Sequence, residues 1–310
     1  MINFYFSDEY LNHDTGSHPE SIQRIKTVKQ LLNDKYNNHN FIEPSKASID
    51  LISNVHDNDY VEEILINIPK SGFYHFDPDT IASPTSLNSY LMAVGGSVDS
   101  VIHSLNHQLK NPVYFCAHRP PGHHAEKNKA MGFGVFNNVA IAAQFALEQR
   151  NYDKILIIDF DVHHGNGTQH IFESNSNIYY ASSHQYPFYP GTGNENEVGV
   201  GNIFNCPLPS GCDSELFRKL FQEKIIDKIN IEFDIIFFSA GFDAHKLDPL
   251  ASINLENDDF AWVTEAILKK FAKNTPVISV LEGGYNMDGL YNGLDSHLKI
   301  LDQYSNEQKK

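Results

Sequence analysis

The chain has 310 residues with 23 Lys plus Arg against 39 Asp plus Glu, and its formal charge of −16 repels phosphate backbones, which argues against nucleic acid; the acidity favours cationic ligands but serves at least as readily to keep the protein soluble. Hydrophobic residues make up 41%, enough for a globular core, yet no apolar run approaches the ~18 residues of a membrane span. Cys116, Cys206 and Cys212 are an odd set without CxxC spacing, and the amino terminus has no basic segment ahead of a long apolar stretch, so a reduced, cytoplasmic protein without a secretory signal is expected.

Ile2 to Phe6 reads as a first strand, and Pro19 to Asn33 as a helix opened by proline, with Ile22, Ile25, Val28 and Leu32 on one face. Helices are predicted at Asn58 to Ile68 and Thr85 to Leu109, the second interrupted by Gly95 and Gly96 for a close contact. Pro112 to Ala117 is an apolar strand that runs into His118, Arg119, two prolines, Gly122, His123 and His124. After a helix at Asn138 to Arg150, the apolar run Lys154 to Ile158 ends in Asp159, Asp161 and His163, which share a face of an extended chain. A strand at Asn177 to Ser183 leads to His184 and a long loop, Ser183 to Gly201. A helix at Asp213 to Ile229, a strand at Phe233 to Ala240 ending in Gly241, Phe242 and Asp243, and a helix at Asp258 to Lys273 follow. The strand Pro276 to Leu281 then runs into Glu282, Gly283, Gly284 and Tyr285, ahead of a last helix at Met287 to Tyr304. Alternating strands and helices predict a parallel sheet covered on both faces, a three-layer α/β/α fold. With no Pro/Gly/Ser-rich linker, residues 1–310 read as one domain.

Ligands of open α/β sheets bind at the carboxyl ends of strands, where four of these strands carry reactive groups. Asp161, His163 and Asp243 supply three ligands for a catalytic divalent ion and leave a position for water or substrate. Oxygen-rich ligation leaves iron, cobalt and manganese open beside zinc. Alone, Asp161 would serve as well for a helix cap; four such strand ends together favour the metal. His123 and His124 are the evident proton acceptors for an attacking water, and Asp159 and Asn166 are placed to orient them with different basicities. Tyr285, after two glycines, can donate to a developing oxyanion. Gly132, Phe133, Tyr189 and Leu250 are candidate walls of an apolar passage.

RPPGHHA (Arg119 to Ala125), GFGVFNN (Gly132 to Asn138), DFDVHHGNGT (Asp159 to Thr168), FYPGTG (Phe188 to Gly193), SAGFDAHKLDPL (Ser239 to Leu250) and LEGGY (Leu281 to Tyr285) together resemble the histone deacetylase and acetylpolyamine amidohydrolase family, over about Asp8 to Tyr285. The resemblance implies the arginase-deacetylase fold, with a mainly parallel eight-stranded sheet, and zinc-dependent hydrolysis of an acylated amine. It implies one zinc held by Asp161, His163 and Asp243, His123 and His124 as the histidine pair, and Tyr285 polarising the acyl carbonyl. It further implies a structural potassium at Asp159 and Ser182, with carbonyls of Asp161 and His163. Gly132 would accept the substrate amide N–H, Phe133 and Tyr189 would line the tunnel, and Gly284 and Leu250 would also border the substrate.

This chain departs from the family pattern at Gly134, where relatives often have Cys, and at Ser21, where HPER has Arg; Arg24 is retained. Asn166 in place of Asp is similar to the class II branch. Leu250 stands where polyamine-selective relatives carry an acidic gatekeeper, which leans the expected substrate towards acylated lysine in peptides or proteins. Acetylpolyamines or other small acylated amines are the alternative, and a noncatalytic acyl-lysine binding module the third reading. Binuclear arginase chemistry is disfavoured because Gly165 stands where a further carboxylate is needed; His245 alone could touch a second ion.

Overall fold

The computed structural model describes residues 1–106, 111–149 and 152–307. Eight strands form one sheet in the order β2-β1-β5-β10-β9-β6-β7-β8, and every neighbouring pair is parallel. They are β1 (Ile2–Tyr5), β2 (Asn40–Ile42), β5 (Val113–Cys116), β6 (Ile155–Asp159), β7 (Ile178–Gln185), β8 (Ile203–Leu208), β9 (Ile235–Ala240) and β10 (Val277–Leu281). Two short strands, β3 (Tyr74–His75) and β4 (Ile81–Ala82), pair separately and antiparallel. The nine helices among the described residues are α1 (Ile22–Lys35), α2 (Ile49–Ser53), α3 (Asn58–Ile66), α4 (Ser86–Asn106), α5 (Asn138–Glu148), α6 (Asn166–Phe172), α7 (Ser214–Phe221), α8 (Asn257–Phe271) and α9 (Met287–Asn306).

Alternation along the strands builds the layers. Leu156 and Ile158 of β6 pack with residues of α1, α7, α8 and α9, whereas Ile155 and Ile157 pack with residues of α3, α4 and α5. Both faces of the sheet are therefore dry, which is why β5, β6, β9 and β10 are continuously buried and read as unbroken apolar runs. The predicted three layers are present.

Several boundaries differ from the sequence reading. The first helix starts at Ile22 rather than Pro19, because Glu20 turns inward to meet Arg24 and Arg119 and Ser21 stays extended. Strand β7 runs on to Gln185, so the long loop begins at Tyr186. The helix expected to reach Ile229 gives way after Phe221 to a wider π turn at Gln222–Ile226. Leu109 and Arg150, the expected ends of α4 and α5, lie outside the described residues. The edge strands β2 and β8 were not predicted: β2 has three residues, none buried, and β8 contains Asn205 and Pro207. Gly95 does mark a close contact, since a Cβ there would lie 1.8 Å from the Ser45 carbonyl oxygen.

Candidate active site

Parallel strands send all their carboxyl ends to one edge, and there β6, β9 and β10 deliver Asp161, Asp243 and the Gly283–Tyr285 segment side by side. Asp161, His163 and Asp243 each place one ligating atom so that all lie within 4.8 Å of one another. His163 Nδ1 is 3.2 Å from Asp161 Oδ1 and 3.1 Å from Asp243 Oδ2.

Backbone N–H groups aim both carboxylates. Asp161 accepts from His163 N and Gly283 N, and Asp243 accepts from Val162 N. Glycine is required for this approach. A Cβ at Gly241 would lie 2.1 Å from Asp161 Oδ2, and one at Gly283 would lie 2.3 Å from Asp243 Oδ2 and 2.5 Å from Asp161 Oδ2. Burial opposes charge on His163, but Asp161 and Asp243 push its pKa up to about 10. Burial and the neighbouring Asp161 push Asp243 up to about 7. Two buried carboxylates and one imidazole thus form a strongly cation-seeking nest, and this donor set fits a divalent ion of the zinc type.

The two histidines of the 119–125 segment lie beside it, with ring centres 4.1 Å apart. His123 Nδ1 is 2.9 Å from Asp159 Oδ2, and His124 Nδ1 is 2.8 Å from Asn166 Oδ1. Burial disfavours charge on both rings. For His123 the carboxylates of Asp159 and Asp161 outweigh it and raise the pKa well above the usual imidazole range. For His124 burial is reinforced by the charges of His123 and His163, and the pKa falls well below that range. The Asn166 amide nitrogen faces the His124 carbonyl and the Glu126 carboxylate, so its oxygen faces the ring. His124 Nδ1 therefore donates to Asn166, leaving Nε2 as an acceptor.

Tyr285 follows β10 after Glu282, Gly283 and Gly284, and two side chains hold it. Arg24 donates from Nε to the Gly284 carbonyl at 2.7 Å and also binds the Glu282 carbonyl, with its guanidinium 4.9 Å above the Tyr285 ring. Asp248 accepts from Tyr285 N and Asn286 N. Burial raises the Tyr285 phenol well above its ordinary pKa, so it remains a donor.

A cavity of about 350 Å³ reaches this cluster, lined by His124, Gly132, Phe133, His163, Phe188, Tyr189, Leu250 and Tyr285, with His18, Pro19 and Asp79 also in its wall. Gly132 and Phe133 both have positive φ (57° and 71°), and a Cβ on Gly132 would strike the His124 ring at 2.2 Å. A larger cavity of about 800 Å³, lined by polar residues around α3 such as Asp57 and Glu63, contains none of these groups.

Of the remaining expected residues, Asp159 and Ser182 are register partners on β6 and β7. The Asp159 carboxylate also accepts from the Tyr180 hydroxyl, and Ser182 Oγ is 2.8 Å from His184 Nδ1. Gly284 (φ 125°) packs on Phe242 and Leu290 and is not among the cavity-lining residues. His245 has both ring nitrogens engaged, by Asn257 and by Leu247 N, and is not part of the Asp161, His163 and Asp243 cluster. Sequence reasoning missed Glu282, which accepts from Gly122 N, His123 N and Ser239 Oγ and which burial pushes up to about 7. It missed Asp248 and His18 as well, because nothing in their local spacing shows what they reach across the fold.

The histone deacetylase domain model matches residues 18–301. An uncharacterized protein of Synechocystis is 36% identical, over 97% of this chain and 99% of the relative. Histone deacetylase 14, chloroplastic, of Arabidopsis thaliana is also 36% identical, over 94% of this chain and 74% of its own length. Among solved structures, the HDA15 HD domain superposes with a TM-score of 0.89 at 30% identity, covering 97% of this chain and 88% of that one. A match of this extent, on a chain whose parallel sheet brings an Asp-His-Asp cluster to the edge where the histidine pair and tyrosine also sit, identifies a member of the histone deacetylase family.

Proposed function

We propose that this chain hydrolyses the amide of acylated lysine side chains in peptides or proteins, with one zinc ion held by Asp161, His163 and Asp243. The observation that carries the reading is that His163 of that ligand cluster meets His124 and Tyr285 in the wall of one mostly apolar cavity. A bound divalent ion supplies Lewis acidity to the acyl carbonyl and to a water.

The chain's own residues divide the remaining work. Tyr285, kept protonated, donates to the acyl oxygen as charge develops there. His124, neutral with Nε2 free, takes the proton of the attacking water and returns it to the leaving amine. His123, held cationic by Asp159, supports the developing negative charge. The products are a carboxylate and the free amine. Phe133, Tyr189 and Leu250 exclude water from the alkyl chain of the substrate, and the Gly132 carbonyl accepts the substrate N–H. Asp159 and Ser182, adjacent across β6 and β7, would hold a structural potassium.

Leu250, standing where polyamine-selective relatives carry an acidic residue, supports acyl-lysine over acylpolyamine, and the one carboxylate in the cavity wall is the exposed Asp79 at its outer part. A complete proton-transfer set disfavours a noncatalytic binding module. Strands drawn from residues 2 to 281 into one sheet support a single domain over 1–310. No helix among the described residues is long and apolar enough to cross a membrane, and the buried free Cys116, Cys206 and Cys212 support residence in the reducing cytoplasm. The test is turnover of an acetyl-lysine peptide by protein whose metal content is measured by elemental analysis. One zinc per chain and peptide hydrolysis are expected; a zinc-loaded protein that leaves the peptide intact overturns the proposal.

A further inference from the structure

His18 was not among the expected site residues, yet it stands in the wall of the reaction cavity. Its ring meets Phe133 edge to face, with centres 4.5 Å apart at 89°. It belongs to the outer part of the cavity, beside the exposed Pro19 and Asp79, whereas His124, His163 and Tyr285 form the inner end.

The ring is fixed in one tautomer. Glu20 N donates to His18 Nδ1 at 3.0 Å, and a backbone amide can only donate, so Nδ1 carries no proton. A neutral ring then bears its hydrogen on Nε2. Partial burial lowers the pKa of His18 against the opposing pull of Glu20 and Asp79, which keeps the ring neutral near pH 7. Among the described residues no hydrogen bond engages Nε2. Asp79 is an acceptor only, Pro19 and Leu250 have no side-chain donor, and the hydroxyl of the exposed Tyr189 is the other side-chain donor in the wall outside the inner end.

We infer that His18 is a specificity-determining residue whose Nε2–H binds a backbone carbonyl oxygen of the peptide that carries the acylated lysine. The inference rests on the deacetylase reading and deepens it. A fixed neutral donor at a cavity entrance selects a substrate with an acceptor just outside the buried alkyl chain. A peptide has such carbonyls on both sides of the modified residue, whereas an acylated polyamine or simple alkylamine has none. Donor loss leaves that carbonyl without its partner and costs binding, with no effect on the bond being cleaved.

The experiment compares His18→Phe, which keeps an aromatic ring against Phe133, and His18→Gln, which keeps an N–H donor. Substrates are an acetyl-lysine peptide with amides on both flanks and N-acetylbutylamine, which presents the same acylated chain without a backbone. His18→Phe is expected to raise KM for the peptide about five- to tenfold with kcat little changed, and His18→Gln to recover most of that loss. For N-acetylbutylamine the same substitution should move KM less than twofold. Equal losses on both substrates, or a peptide KM that does not move, overturn the inference.

A second arm reads binding without turnover, from the anisotropy of a fluorescein-labelled acetyl-lysine peptide on the Tyr285→Phe protein. There His18→Phe should weaken peptide binding by the same factor, and unchanged or undetectable binding overturns the inference. Failure of the unsubstituted enzyme to hydrolyse either substrate would instead sink the deacetylase reading.

Discussion

The Asp248 carboxylate accepts the backbone N–H of Tyr285 at 2.6 Å, although 37 residues separate the two. The same carboxylate accepts from Leu250 N at 3.0 Å, so one side chain ties a wall of the cavity to the residue proposed to stabilise the oxyanion. Asp248→Ala should therefore let Tyr285 drift. Steady-state kinetics are expected to show kcat reduced about 10- to 100-fold with zinc content unchanged. Asp248→Asn keeps one acceptor oxygen and should lose less.

Tyr285→Phe removes the phenolic donor and retains the ring under Arg24. Turnover should fall by about 10²- to 10³-fold while the protein binds zinc and melts as before. Normal turnover would remove Tyr285 from the mechanism.

The approach of backbone to carboxylate at Gly283 leaves no room for a methyl group. Gly283→Ala should displace Asp243 or Asp161 and weaken metal binding about 10- to 100-fold, as read by competition with a chelator. Chelation of the unsubstituted protein should abolish activity and lower the melting temperature, and added zinc should restore both.

Acid stability should be governed in part by His297, which is wholly buried between Thr264 Oγ1 (2.6 Å) and Ser279 Oγ (2.9 Å). Burial lowers its pKa from 6.5 to about 3. Between those values the unfolded chain binds a proton that the folded chain does not, so stability is complete above pH 6.5 and declines as pH falls towards 3. The slope approaches about 1.4 kcal/mol per pH unit for this one group. Denaturant titrations at pH 7.5 and 5 should show the loss, and His297→Gln should reduce the difference between them.

Much of this was legible in the chain itself. The central strands are dry on both faces, so β5, β6, β9 and β10 are unbroken apolar runs that end where polarity begins. Those ends carried Asp161, His163, Asp243, His123, His124 and Tyr285, and the alternation of strand and helix implied that parallel strands would bring them to one edge. The edge strands β2 and β8 were hidden because a strand paired on one side only has no need of a continuous apolar sequence.

Local sequence determined which chemical groups stand at the strand ends, because burial and backbone periodicity act over a few neighbours. Only the tertiary structure decided what those groups touch. Asp248 reaches Tyr285, Glu282 reaches the turn before His123, and His18 reaches the cavity across distances along the chain that carry no periodic signal. Hydrogen bonds and charge interactions depend on separation in space, and that separation exists only once the sheet has assembled.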